Sequence, residues 1–250
     1  MKRLAVILLL VSTSAYAGDL RNAARDVKSL ATAPLHWKKA QWQRFGEGVG
    51  AVVLVGAFDK PIADAVQRNR SSFTNHVSKY VTPFGGGREL QLTALMYAAG
   101  ALLHRSNLEG AGHDAFESEL WAAGIVTPLL KGAYGRARPS ANDGTYNFGF
   151  GRTDNPHNSF PSGHATNVFA GATAIAEHYN GVVPWIAYTV AGAVAYSRVN
   201  DRAHWPSDVV AGALIGRAVA KGITYRHMHV RLAWIVETSN VKRQTSKSRF

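Results

Sequence analysis

Three basic motifs within residues 131–208 constrain this chain more than any other feature of its sequence. Each motif combines a cation or an imidazole with a glycine, proline or serine that suits a turn or the start of a helix. In chain order the motifs are Lys131-Gly-Ala-Tyr-Gly-Arg-Ala-Arg138-Pro139, then Pro161-Ser162-Gly163-His164, then Ser197-Arg198 followed after five residues by His204-Trp-Pro-Ser-Asp208.

Together the motifs offer the groups that a phosphoryl group needs. Its equatorial oxygens require cations and backbone N–H donors, and Lys131, Arg138 and Arg198 can supply the charge. Ser162 is placed to cap a helix that runs on through Gly163, so the free N–H groups and the positive end of that helix would face an anion. A glycine at this point lets the backbone approach a ligand closely.

The third motif places His204 four residues before Asp208, with Pro206 suited to the first turn of a helix. Asp208 can accept a hydrogen bond from one imidazole nitrogen and leave the other nitrogen free to attack phosphorus. His164 then remains as the general acid for the leaving oxygen.

In order and in internal spacing, the motifs resemble those of the type 2 phosphatidic acid phosphatases. That superfamily also contains bacterial non-specific acid phosphatases and vanadium haloperoxidases. Its pattern is Lys, six residues, Arg-Pro; then Pro-Ser-Gly-His; then Ser-Arg, five residues, His, three residues, Asp. Every position is matched, and the resemblance covers about the last half of the chain.

The resemblance implies an all-α fold with a single helical bundle domain, and it implies a role for each motif residue. His204 would form a phosphohistidine intermediate, Asp208 would orient it, and His164 would protonate the leaving group. The phosphate would be held by the side chains of Lys131, Arg138 and Arg198 and by the backbone amides of Ser162 and Gly163. Neither a metal ion nor a cofactor is implied.

The first residues have the composition of a secretory signal. Lys2 and Arg3 precede an apolar core, and Ala15-Tyr-Ala17 forms a small-residue cleavage site. We therefore expect residues 1–17 to be removed on export to the periplasm, since the apolar run is too short for a membrane span. The sequence contains no cysteine, which excludes disulfides and zinc–thiolate sites.

The chain is strongly basic, with a formal net charge of +12, of which residues 1–17 contribute two charges. This balance favours anionic partners. We expect a phosphorylated small-molecule or lipid substrate and contact with a membrane surface, whereas nothing in the sequence specifically supports nucleic acid. Aromatic and lysine residues between Trp37 and Arg44 suit a membrane interface, although a helix packed on the domain explains them as well.

Apolar segments rich in Ala, Gly, Leu and Val, separated by polar turns, predict helices. We expect an N-terminal helical region over residues 18–88, a phosphatase catalytic core over residues 89–225 and a basic C-terminal tail over residues 226–250. The last ten residues are expected to lack a fixed structure.

Two loops and the remaining histidines carry weaker signals. Residues 140–160 form a long polar excursion, which we assign to the rim of the pocket with His157 as an exposed loop residue. The segment Phe84-Gly-Gly-Gly87 could approach a substrate, although a plain linker between helices is the favoured interpretation. Seven other histidines are expected to be surface or satisfied core residues rather than ligands, because none lies near acids at metal-ligand spacing: His36, His76, His104, His113, His178, His227 and His229.

The sequence therefore predicts an exported phosphatase for phosphomonoesters, including lipid phosphates. A peripheral lipid phosphatase or an isoprenyl pyrophosphate phosphatase is the alternative, because the transferred group is the same in each. Vanadium-dependent halide oxidation and non-catalytic polyanion binding are less favoured, the latter because every catalytic position is filled.

Overall fold

The computed structural model describes residues 25, 28–29 and 32–247, with side chains described as far as residue 229. The predicted signal segment and the first part of the N-terminal region lie outside the described residues. The chain divides into two compact units, residues 1–44 and residues 45–250. In the first unit, a 3₁₀ turn at Ala33–His36 precedes Trp37, whose ring packs edge-on against Trp42 with centroids 5.0 Å apart.

Apart from turns, the described residues form helices, and the only β-type pairing among them is an isolated bridge between Arg136 and Phe148. The expected all-α fold class is therefore confirmed. The helices are α1 Lys39–Ala57, α2 Asp59–Arg68, α3 Ser72–Val81, α4 Gly87–Leu102, α5 Ser106–Trp121, α6 Thr127–Tyr134, α7 Gly163–His178, α8 Val182–Asn200 and α9 Pro206–Lys247.

Helix α7 occupies the centre of the second unit and packs against α5, α8 and α9. Small residues allow these close approaches, as where Ala115, Ala174 and Ala220 meet from three helices. At Gly212 of α9, an added Cβ would lie 2.5 Å from the Ser162 carbonyl oxygen, so the two backbones are in contact. This packing holds the N-terminal ends of α7 and α9 together, and these ends carry the second and third motifs.

Helix α9 continues through Lys247, so the expectation that the last ten residues lack a fixed structure is wrong for residues 241–247. Residues 223–247 contain neither glycine nor proline, and nothing in them terminates a helix. Within the part of the chain that the structure describes, no helix combines the length and apolar character that crossing a membrane requires.

Candidate active site

The first motif ends one helix and begins a loop. Lys131 lies in the last turn of α6, which stops at Tyr134 because Gly135 adopts a left-handed conformation with φ of 51°. The chain then turns back toward α7, and an added Cβ on Gly163 would lie 3.9 Å from the Lys131 side chain. The first and second motifs are therefore neighbours, as a shared phosphate site requires.

Ser162 caps α7 as the sequence predicts, its Oγ accepting a hydrogen bond from the Ala165 N–H at 3.4 Å. The Ser162 N–H itself donates to the Asp208 carbonyl oxygen at 2.9 Å. The expectation that this amide binds phosphate is therefore corrected, because the bond to α9 occupies it. Gly163 is the first residue of α7, and its N–H has no partner within the helix.

His204 is buried and held in one tautomer. Its Nδ1 lies 2.7 Å from the Ser159 carbonyl oxygen, to which it donates, so the lone pair resides on Nε2. Burial lowers the pKa of His204 well below its ordinary value, and the nearby cations Lys131, Arg138 and Arg198 add to this effect. The imidazole is therefore neutral over the physiological range and suited to nucleophilic attack through Nε2.

Asp208 contacts His204 less directly than the sequence suggests. One of its oxygens, Oδ2, lies 3.9 Å from His204 Nδ1, beyond hydrogen-bond distance. The same oxygen accepts from Ser159 Oγ at 2.5 Å and from the Trp205 N–H at 2.8 Å. Ser159 thus links the two residues, since its hydroxyl donates to Asp208 and its carbonyl accepts from His204.

Arg136 sits behind this link at the centre of a buried network that the sequence analysis did not identify. Its guanidinium donates to Asp208 Oδ1 at 2.6 Å, to Asp59 Oδ2 at 2.8 Å, to Ser207 Oγ at 2.8 Å and to the Thr145 carbonyl oxygen at 2.7 Å. Asp59 also accepts from the Ser207 N–H at 2.7 Å. Asp59, the first residue of α2, is therefore hydrogen-bonded to the first turn of α9.

Arg198 contributes the clearest sign that the site accepts an anion. Its Nη2 donates to Asp201 at 2.8 Å, but its buried Nε has no hydrogen-bond partner within the described part of the chain. A buried donor without a partner costs free energy, so such a group indicates a ligand or water. A phosphate oxygen would satisfy it with a charge-assisted bond.

Arg138 and Lys131 complete the set of cations. Arg138 donates from Nε to the Asn155 carbonyl oxygen at 2.8 Å, and Lys131 donates to the Asn158 carbonyl oxygen at 2.5 Å. Burial lowers the pKa of Lys131 to about 8, and the adjacent charge of Arg138 contributes. A bound dianion would offset both effects.

His164 lies at the start of α7 among the same cations. Burial and the charges of Arg198, Arg138 and Lys131 lower its pKa to about 4. A phosphoryl dianion would compensate these charges and favour the protonated imidazole, the form that a general acid needs. Its ring packs on Gly85, where an added Cβ would lie 2.7 Å from His164 Cβ and 2.9 Å from Cδ2.

The glycine segment at 85–87 is therefore more than a linker, because Gly85 forms a wall of the His164 site. Gly85→Ala should lower kcat by about 10²-fold, since the methyl group must displace the imidazole. Gly87→Ala is the matched control, because an added Cβ at Gly87 meets nothing within 4 Å. Steady-state kinetics of both variants check this, and equal activities would contradict it.

The loop that follows the first motif also differs from expectation. His157 is buried rather than exposed, with Nδ1 2.9 Å from Asp154 and Nε2 3.3 Å from Asp143. Two acids from its own loop flank the imidazole, and the sequence analysis identified neither of them. The structure assigns His157 a place in the packing of the loop.

Three residues that position the site were missed from sequence: Arg136, Ser159 and Asp59. Arg136 lies inside the first motif, where a basic residue two before Arg138 was the available signal. Ser159 stands three residues before Ser162 and acts through its carbonyl as much as its hydroxyl. Asp59 is 149 positions from Asp208, and nothing in the sequence connects them.

The fold, the motifs and comparison with known families agree. Residues 119–231, which include all three motifs, match the family model of the PAP2 superfamily. This match confirms the resemblance to the superfamily that was inferred from the motifs.

Among individual proteins, the chain is similar to lipid A 1-phosphatases. It is 35% identical over 124 residues to the one from Porphyromonas gingivalis, covering 48% of this chain and 27% of that protein. It is 28% identical over 200 residues to the one from Rhizobium johnstonii, covering 73% of this chain and 78% of that protein. The chain thus spans about a quarter of the first relative and about three quarters of the second.

Two crystal structures share the fold. Aquifex aeolicus LpxE superposes with a TM-score of 0.54 at 18% identity, covering 68% of this chain and 95% of that chain. The first transmembrane PAP2 type phosphatidylglycerolphosphate phosphatase from Bacillus subtilis gives 0.51 at 18% identity, covering 74% and 96%.

Proposed function

We propose that this protein is a phosphomonoester hydrolase that acts on a lipid phosphate through a phosphohistidine formed on Nε2 of His204. The buried Nε of Arg198, which has no hydrogen-bond partner among the described residues, carries the proposal, because an anion would satisfy it. Lys131 and Arg138 converge on the same place, and these three side chains form the phosphate cradle. The N–H of Gly163 and the positive end of α7 add a backbone donor.

The reaction has two steps. In the first, His204 attacks phosphorus while His164 gives its proton to the leaving oxygen, so the P–O bond breaks as the P–N bond forms. In the second, water attacks the phosphohistidine and gives a proton to His164, releasing inorganic phosphate. The imidazolium that develops on His204 is stabilised through Nδ1, Ser159 and the anionic Asp208.

A lipid substrate is supported by apolar surface on α2, the helix that also carries Asp59. An apolar groove of about 740 Å³ lies between α1, α2 and α8, and Leu54, Phe58 and Ile62 contribute exposed side chains to it. Helix α2, which lines this groove, also carries Asp59 and its bond to Ser207. Exposed apolar surface of this kind marks a binding face, and the names of the relatives indicate lipid A as the first substrate to test.

The first test compares phosphate release from lipid A, from phosphatidate and from a water-soluble aryl phosphate, each with His204→Ala as the blank. Preference for lipid A or phosphatidate over the aryl ester is the expected result. The sequence alone gave no priority to lipids, and preference for the aryl ester would make the protein a soluble-ester phosphatase. In either case we propose that it acts after export, with its basic surface toward anionic lipid.

His164→Ala should affect substrates according to their leaving group. An alkyl phosphate should lose about 10²- to 10⁴-fold in kcat, whereas a nitrophenyl ester, which needs little protonation, should lose much less. In the wild-type enzyme, activity should fall as pH rises through the pKa of His164 in the substrate complex, because the imidazole that must donate the proton becomes deprotonated. His204 stays neutral well into the acid range, since burial and cations lower its pKa.

The comparison of leaving groups separates this role from a structural one. Loss of folding or of phosphate affinity in His164→Ala would reduce all esters equally. General acid catalysis by His164 would be contradicted if all esters lost activity equally in His164→Ala. It would also be contradicted if activity fell at alkaline pH in this variant as it does in the wild-type enzyme.

A further inference from the structure

A second cluster of ionisable side chains lies at the far end of α7 from Ser162. It joins α5, α7 and α9 and consists of His113, Asp114, Glu117, His178 and His227. Fourteen residues of α7 separate His164 from His178, which is about 21 Å along a helix. Sequence spacing gave no sign of this cluster, because only the tertiary fold brings His113, His178 and His227 to one carboxylate.

Asp114 is the centre of the cluster and is fully buried. Its Oδ1 lies 2.6 Å from His227 Nδ1 and 3.2 Å from His113 Nδ1, while Oδ2 lies 2.8 Å from His178 Nε2. Three imidazole nitrogens are therefore directed at the Asp114 carboxylate.

Glu117 supports His227 from the other side. Its Oε2 lies 3.5 Å from His227 Nε2, and its Oε1 accepts a hydrogen bond from Trp121 Nε1 at 3.0 Å. A carboxylate that faces the outer nitrogen of an imidazole is the usual support of a metal-binding histidine, since it keeps the proton on that nitrogen. In the metal-free chain Nδ1 of His227 donates to Asp114 Oδ1; when a metal ion lies between them, the proton moves to Nε2 beside Glu117 and Nδ1 presents its lone pair to the ion.

We propose that His113 Nδ1, His227 Nδ1 and the Asp114 carboxylate bind a divalent transition-metal ion, with zinc as the best fit. The three ligand atoms lie within 4.8 Å of one another, so small side-chain rotations bring each to about 2.0–2.2 Å from a common centre. Two imidazoles and a carboxylate favour zinc and its transition-metal neighbours over magnesium or calcium.

The surroundings suit such an ion in charge and in access. The carboxylates of Asp114 and Glu117 together balance two positive charges. His178 remains hydrogen-bonded to the second oxygen of Asp114, which orients the carboxylate. The side chain of His113 is 27% exposed, which gives an ion and a fourth, water ligand a path from solvent.

The metal site would stabilise the fold and would take no part in catalysis. Two ligands come from α5 and the third from α9, 113 positions later, so an ion joins the two helices at the end remote from the phosphate cradle. This inference does not depend on the proposed phosphatase activity.

The test uses the full chain after dialysis against a chelator. Isothermal titration should show one zinc ion bound per chain, and zinc at 100 times its Kd should raise Tm by about 5–10 °C. Cobalt should give the visible absorption of a tetrahedral site. His113→Gln and His227→Ala should each abolish the Tm shift and the cobalt spectrum.

His229→Ala is the matched control, because His229 lies one half-turn further on α9 and its Nδ1 bonds to the Tyr225 carbonyl oxygen at 2.7 Å. It should keep wild-type zinc binding. The proposal is overturned if the wild-type chain shows no saturable zinc binding, or if binding survives in His113→Gln. Since His113 is the most exposed of the three ligands, its variant tests the site even if His227→Ala fails to fold.

Discussion

Replacing His204 with alanine should abolish turnover, lowering kcat by about 10⁴-fold or more, because the nitrogen that attacks phosphorus is lost. The loss should be the same for every leaving group, unlike that of His164→Ala. The measurement is phosphate release under saturating substrate, together with trapping of the labelled enzyme by denaturation at alkaline pH. A phosphohistidine is stable in alkali and labile in acid, which identifies it.

His204→Asn distinguishes loss of the nucleophile from loss of the fold. The Asn side-chain amide can replace the Nδ1–H donor to the Ser159 carbonyl, whereas nothing replaces Nε2. This variant should therefore melt close to wild type and remain inactive. Turnover above one per cent of wild type in either variant would remove His204 from the role of nucleophile.

Arg136→Met should cost about 3–5 kcal/mol of folding free energy, because it leaves Asp59 and Asp208 buried without their shared cation. For a domain of this size, that is a fall in Tm of about 10 °C. Activity should fall as well, since Asp208 loses the bond that fixes its orientation toward Ser159. Thermal unfolding and steady-state kinetics on the same preparation check both effects.

An exposed ion pair on α2, the helix that carries Asp59, provides the control. Lys60 and Asp64 of α2 lie 2.7 Å apart with side chains 67% and 47% exposed, against 3% and 0% for Arg136 and Asp59. Lys60→Met should change stability by less than about 1 kcal/mol. A similar loss in both variants would show that burial does not determine the effect and would contradict the role given to Arg136.

Some features of this protein are set by residues close together in the chain. The helix cap at Ser162, the start of α9 at Pro206 and the end of α6 before Gly135 each depend on local backbone chemistry. The order and spacing of the three motifs likewise carried the resemblance to the superfamily, and that resemblance implied the all-α fold. The glycine segment at 85–87 shows the limit of such local patterns, because its role depends on contact with His164, which lies far away in sequence.

The tertiary structure alone determined which groups support the predicted ones. Ser159 stands between Asp208 and His204, Arg136 pairs with an acid from α2, and Asp114 gathers imidazoles from three helices. Apart from the neighbouring pair His113 and Asp114, these contacts join segments that are far apart in the chain. The contacts between α5, α7 and α9 depend on how closely small residues let these helices approach. Local spacing carries no record of that packing, so the sequence specified the reactive groups while the fold specified their partners.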